Sequence, residues 1–112
     1  MSLLLNSRDI DFNLYELLDT EALTRQPRYA EHDRAVFDAV IEAARVLAEQ
    51  EFAPHAAKLD ANEPTFDGKR VTLPAELEQT LDAYIAGGFM GIAAEAEHGG
   101  MQLPWVVGQA AC

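Results

Sequence analysis

The sequence predicts an all-α domain, a partial up-down helical bundle. Apolar residues recur three or four positions apart along most of the chain. Prolines and glycines stand where helices would begin and end. The apolar share of 49% is too high for a disordered tail. At 112 residues the chain is the size of one domain, and folding would bury about two thirds of its extended surface.

Residues 1–30 read as an N-terminal arm with short helices. Met1-Ser2-Leu3-Leu4-Leu5 has no basic start and only three leucines before Arg8 and Asp9, so it predicts neither a signal peptide nor a membrane span. Ile10, Leu14, Leu17 and Leu18 fall at helical spacing and predict one apolar face. Asp19-Thr20-Glu21 resembles a fresh helix start, with a capping oxygen and early negative charge. Pro27 keeps that helix short, and residues 25–28 read as a linker because the residue before a proline leaves the α region.

Residues 31–112 read as the helical domain proper. Phe37, Val40, Ile41, Ala44, Leu47, Ala48 and Phe52 line one side of residues 31–53, with Asp38, Glu42, Arg45 and Glu49 opposite. Such a helix would be about 35 Å long at 1.5 Å per residue. Pro54 removes a backbone donor, and the helical character of residues 55–60 favours a kink followed by a further turn or two. Residues 61–71 read as loop, with a turn at Asp67-Gly68. Val71 and Leu73 predict a short extended stretch. Pro74 suits the first position of a helix whose apolar face is Leu77, Leu81, Tyr84 and Ile85, ended by Gly87-Gly88. Residues 89–94 form an apolar run expected to be buried, and residues 95–104 a glycine-bearing loop. From Trp105 to Cys112 the chain reads as two opening turns of a helix with no polar cap or charged last turn. The expectation is that the domain is truncated at this end.

The net charge of -11 comes from 19 acids against 8 bases, with no basic stripe. That argues against nucleic acid and against an anionic membrane surface as partners. The only cysteine is Cys112, so no internal disulfide can form, which fits a reducing, cytoplasmic setting.

Four constellations have residue types that could carry chemistry. Glu95-Ala96-Glu97-His98 has the Glu-x-x-His spacing of di-iron bundles, but such a site needs two copies and two further carboxylates on well-formed helices. A solvated loop is the simpler reading. Gly87-Gly88-Phe89-Met90-Gly91 follows a helix rather than a strand and lacks the spacing of a dinucleotide cradle, so helix termination and close packing at Gly91 are expected instead. His32, His55 and His98 have only Ser2 and Ser7 as serine partners, both in the arm, which leaves a Ser-His-Asp arrangement improbable. Cys112 reads as a bystander. The residues by their own chemistry therefore predict no catalytic, cofactor-binding or metal-binding site.

Two stretches carry a resemblance. Ala48-Glu49-Gln50-Glu51-Phe52-Ala53-Pro54-His55-Ala56-Ala57-Lys58-Leu59-Asp60 looks like the first long helix of the acyl-CoA dehydrogenase family, with a proline near its end and a closing aspartate. Gly87-Gly88-Phe89-Met90-Gly91-Ile92, then Glu97-His98-Gly99-Gly100 and Leu103-Pro104, is similar to that family's glycine-rich segment. It departs at Glu95 where proline is usual, at His98 for tyrosine, and at Gln102 for the last glycine. The resemblance spans residues 31–112. Asp9-Ile10-Asp11-Phe12-Asn13-Leu14 and the Phe66–Pro74 insert look like the larger branch that includes the 3-methylmercaptopropionyl-CoA dehydrogenase type.

The resemblance implies an FAD-dependent, homo-oligomeric oxidoreductase. In that family a glutamate removes the α-proton of an acyl-CoA thioester, a hydride passes from the β-carbon to the flavin, and electrons leave to an electron-transfer flavoprotein. The flavin is held by a middle β-domain and a C-terminal helical domain, and the glutamate belongs to the latter. No catalytic or FAD residue is therefore carried onto this chain, which is expected to bind no cofactor and be inactive by itself, serving as scaffold beside the acyl pocket. The alternative expectation is a small acidic helical interaction module.

Overall fold

The computed structural model describes residues 4–112. Residues 1–3, with Ser2 and most of the Met1–Leu5 stretch, lie outside the described residues. The described chain is mostly helical, as the apolar spacing predicts, with one small hairpin. No helix among the described residues is long and apolar enough to cross a membrane.

Helix α1 (Ser7–Asp11) starts at Asn6, whose side chain accepts the Asp9 N–H. It runs into a π-helical stretch, Phe12–Leu17. The wider turn advances the side chains out of 3.6-residue phase, so the predicted face splits. Leu14 is buried at 3% exposure, while Leu17 and Leu18 stand 63% and 56% exposed. The predicted cap at Asp19 is also corrected. Asp19 adopts a left-handed conformation (φ 47°) with no side-chain cap bond, and the segment it opens, Thr20–Arg25, is a 3-10 helix. The expected linker at residues 25–28 gives way to a further 3-10 turn, Pro27–Tyr29.

Helix α2 (Arg34–Leu47) begins three residues later than the periodicity suggests, because the Asp33 carboxylate accepts the Val36 N–H at 3.0 Å. Its apolar stripe centres on Phe37, which has 0% exposure. A second π-helical stretch, Ala48–Phe52, leads into α3 (Ala53–Ala61). The Ala53 N–H reaches back five residues to the Ala48 carbonyl. This wider turn lies just upstream of Pro54, which sits in the first turn of α3, where a missing N–H is tolerated. The chain past Pro54 stays helical to Ala61, about two turns, as the sequence predicts.

Strands β1 (Thr65–Phe66) and β2 (Val71–Thr72) pair antiparallel, Thr65 opposite Thr72 and Phe66 opposite Val71. The sequence predicts extension only near Val71, whereas β1 lies within the expected loop. Gly68, at φ 95°, makes the reversal. Helix α4 (Ala75–Ala86) has Pro74 as its N-cap rather than its first helical residue, and ends where Gly88 turns left-handed. Its predicted face is corrected too. Thr80 is the fully buried residue, and its hydroxyl donates to the Glu76 carbonyl at 2.7 Å and lies 3.2 Å from that of Glu51. Tyr84 stacks on Phe89 at 5.4 Å, whereas Leu81 and Ile85 are exposed. A threonine satisfied by backbone carbonyls can face inward as well as a leucine, and here it does.

Helix α5 (Trp105–Ala111) lies against α2. The core is Phe37, Phe89, Ile92, Leu103 and Val107. Within the apolar run at residues 89–94, Phe89 and Ile92 are buried but Met90 is exposed. The fold is flat, 53 × 36 × 18 Å, with a radius of gyration of 16.8 Å against about 13 Å for a compact chain of this length. Its accessible surface of 7952 Å² exceeds the roughly 6,100 Å² that scaling gives for this mass. The excess is partly apolar, with Phe66 and Trp105 at 69% and 70% exposure.

Candidate functional site

The segment after Ile92 brings together most of the polar groups singled out in the sequence. It folds as a compact loop over the 3-10 turn Ala96–His98. The Gly100 N–H returns to the Glu95 carbonyl, Met101 N–H to Gly91, Gln102 N–H to Ala94, and Leu103 N–H to Ile92. Gly99 takes a left-handed φ of 83°. At Gly100 a Cβ would fall 2.1 Å from the Ala94 carbonyl oxygen, so only glycine fits. At Gly91 the nearest atom would be Gly100 Cα at 3.6 Å, an ordinary contact. The close packing expected at Gly91 is thus at Gly100.

On this loop Glu95, Glu97 and His98 place one potential ligand atom each within 4.8 Å of one another. His98 Nδ1 lies 3.8 Å from Glu95 Oε2, and His98 Nε2 3.8 Å from Glu97 Oε1. All three side chains are exposed, and the Arg28 guanidinium pairs with Glu95 at 3.2 Å. Among the described residues this is the only grouping of three such ligands. It does not meet the demands of a dinuclear centre, which needs a second Glu-x-x-His and two more carboxylates in a bundle interior.

Gln102, missed in the sequence reading, joins this loop to the arm. Its backbone is left-handed (φ 53°). Its side chain accepts the Ala96 N–H at 3.0 Å and donates to the Arg28 carbonyl at 2.7 Å. His32 Nε2 lies 3.0 Å from the Gln102 carbonyl oxygen, and its ring lies beside Phe37. The signal available was its position, where the resembled pattern has a glycine.

The other candidates do not converge. His55 is on α3 near Glu76, and among the described residues no hydrogen bond joins Ser7 or Cys112 to a histidine. The Cys112 thiol meets the Tyr84 hydroxyl at 3.7 Å, which pushes that phenol up. Burial, then the hydrogen bond to Asp38 at 2.5 Å, raises the Tyr15 phenol as well, while Arg34 stacks 3.9 Å over the Tyr15 ring. This knot fastens the arm to α2.

Besides a hollow of about 260 Å³ lined by Ala43, Val46, Leu47, Ala83 and Phe89 among others, two more border the arm and the hairpin. One, of about 250 Å³, lies between α1 and α2 and is lined by Leu5, Ile10, Asp38, Ile41 and Arg45 among others. The other, of about 520 Å³, lies between the hairpin and α4, lined by Arg70, Val71, Leu73, Leu77, Glu78 and Leu81. Its volume is within the range of small-molecule sites. Gly88 ends α4, Gly100 serves chain packing, and neither opens a helix after a strand.

The chain matches no protein-family model and no curated protein.

Proposed function

We propose that this chain is the N-terminal helical domain of an FAD-dependent acyl-CoA dehydrogenase, acting as scaffold on the acyl-chain side of the site. The observation that carries the reading is Gln102. The family's glycine-rich segment has a glycine at this position, and here the backbone is left-handed (φ 53°), the conformation for which glycine is suited. The mostly helical fold and its flat shape with exposed apolar side chains agree with a domain that packs beside others.

On this reading the α-proton abstraction and hydride transfer belong to residues and a flavin held outside this chain. On the same reading no step is assigned to the residues of this chain. The acidic surface would not draw the anionic coenzyme A by bulk field, and the thioester would be engaged through local groups. The working enzyme is a homo-oligomer passing electrons to an electron-transfer flavoprotein.

The coding region downstream of Cys112 tests this. Continuation into a β-rich segment and a second helical domain, with acyl-CoA-dependent bleaching of bound flavin in the purified product, supports the reading. A stop codon directly after Cys112 overturns it. It would favour the second reading, an acidic helical interaction module, for which the apolar groove between the hairpin and α4 speaks.

A further inference from the structure

The arm and the helical body are each tied together more closely than they are tied to one another. Within residues 6–32 the short helices pack chiefly on one another, while in the body α2 packs on α5 and α3 on α4. Among the described residues no backbone hydrogen bond joins 6–32 to 34–112. Leu14, one of two buried residues of the arm, lies outside the cluster of Phe37, Phe89, Ile92, Leu103 and Val107. Of the arm's apolar side chains among the described residues, only Tyr15 packs against that cluster.

Two side-chain clasps hold the arm down. At the first, the Tyr15 hydroxyl donates to Asp38, and Arg34 stacks over the Tyr15 ring while also pairing with Glu21. At the second, Gln102 donates to the Arg28 carbonyl, Arg28 pairs with Glu95, and His32 meets the Gln102 carbonyl. Both ion pairs are about half exposed, where such a pair adds little. Between the clasps are two features that opening relieves. Asp19 is left-handed (φ 47°), a conformation disfavoured for a residue with a Cβ. The Thr20 hydroxyl is buried with no hydrogen-bond partner among the described residues. Few buried apolar contacts and strain released on opening mark a segment that opens before the whole fold does.

We propose that residues 6–32 form a strap that releases from the body as one unit while residues 34–112 stay folded. Release uncovers the face of α2 around Asp38 and Ile41, which α1 meets across the hollow of about 250 Å³ with Ile10 on its wall. The body keeps its core in the opened state, because none of the five cluster residues belongs to the arm. This inference rests on the contacts of the arm and is independent of the dehydrogenase reading.

Native-state hydrogen exchange of the full chain in dilute urea, read residue by residue, tests this. Amides of Phe12–Leu17 and Thr20–Arg25 are expected to exchange at least about tenfold faster than those of α2 and α5, and with a smaller urea dependence, because the opening exposes less surface. Val107→Ala weakens the body but not the strap's hold on it. It should speed exchange in α2 and α5 about tenfold and leave the arm within about twofold of wild type. Tyr15→Phe cuts one clasp and Gln102→Ala the other. Each should speed Phe12–Leu17 and Thr20–Arg25 together, by about tenfold. Arm amides that exchange in step with α2, in the wild type and in Val107→Ala, overturn the proposal, as do clasp variants that speed only one of the two segments. Should circular dichroism show Val107→Ala unfolded, the wild-type urea dependence decides, and equal slopes for arm and body overturn the strap.

Discussion

The Gln102 side-chain amide donates to the Arg28 carbonyl at 2.7 Å across 74 positions of sequence, from a backbone held at φ 53°. The left-handed conformation costs a non-glycine residue about 1–2 kcal/mol, and the two side-chain bonds each return about 0.5–1.5 kcal/mol. Gln102→Ala keeps the strain and loses both bonds, so a loss of about 1–3 kcal/mol is expected in urea unfolding. Gln102→Gly loses the bonds but relieves the strain, and should stay within about 1 kcal/mol of wild type. Equal losses for the two would show that the backbone conformation matters little here.

Glycines in the same loop should separate by position. Gly100→Ala drives a Cβ into the Ala94 carbonyl, a clash with backbone that only a shift of the loop can relieve. A cost of about 1–3 kcal/mol is expected. Gly91→Ala meets nothing closer than 3.6 Å and should be nearly neutral. Thermal midpoints of the two variants check this, and the reverse order would contradict the packing described.

Phe37 on α2 is fully buried in the core, in one cluster with Phe89, Ile92, Leu103 and Val107. Phe37→Ala should cost about 3–5 kcal/mol, a large part of the 5–15 kcal/mol typical of a domain. Phe66→Ala, at an exposed aromatic on β1, should change stability by no more than about 0.5 kcal/mol. Chemical denaturation of both variants measures the contrast.

The hairpin turn should weaken in acid. The Asp67 carboxylate accepts the Arg70 N–H at 2.7 Å and the Lys69 N–H at 2.9 Å, and these bonds hold its pKa below the ordinary value. A depressed folded pKa means the stabilisation is complete above the unfolded value near 4 and is lost as pH falls through the folded one. The amide shifts of Lys69 and Arg70 should report this in an NMR titration between about pH 5 and 2. Asp67→Asn, which keeps an acceptor but no charge, should flatten the dependence. An Asp67 midpoint at or above the ordinary value would refute it.

Some of this was legible in the residues alone. Helical spacing marked residues 37–47, Pro54 marked a disturbance, and Gly87-Gly88 marked the end of α4, because these signals act within a few residues and need no partner. The exposed Glu95–His98 turn was legible for the same reason. What each helix buries was not. Leu17 and Leu18 were expected inside and lie outside, since a π-helical stretch changes the phase of the face. Thr80 was not expected inside and is buried, since carbonyls from two elements satisfy its hydroxyl. Gln102 acquires its role only when the arm returns to lie beside it. The sequence by itself determined where the chain turns and where it stays helical, through local sterics and spacing. Only the tertiary structure decided which side chains share a surface, because that depends on contacts between residues far apart in sequence.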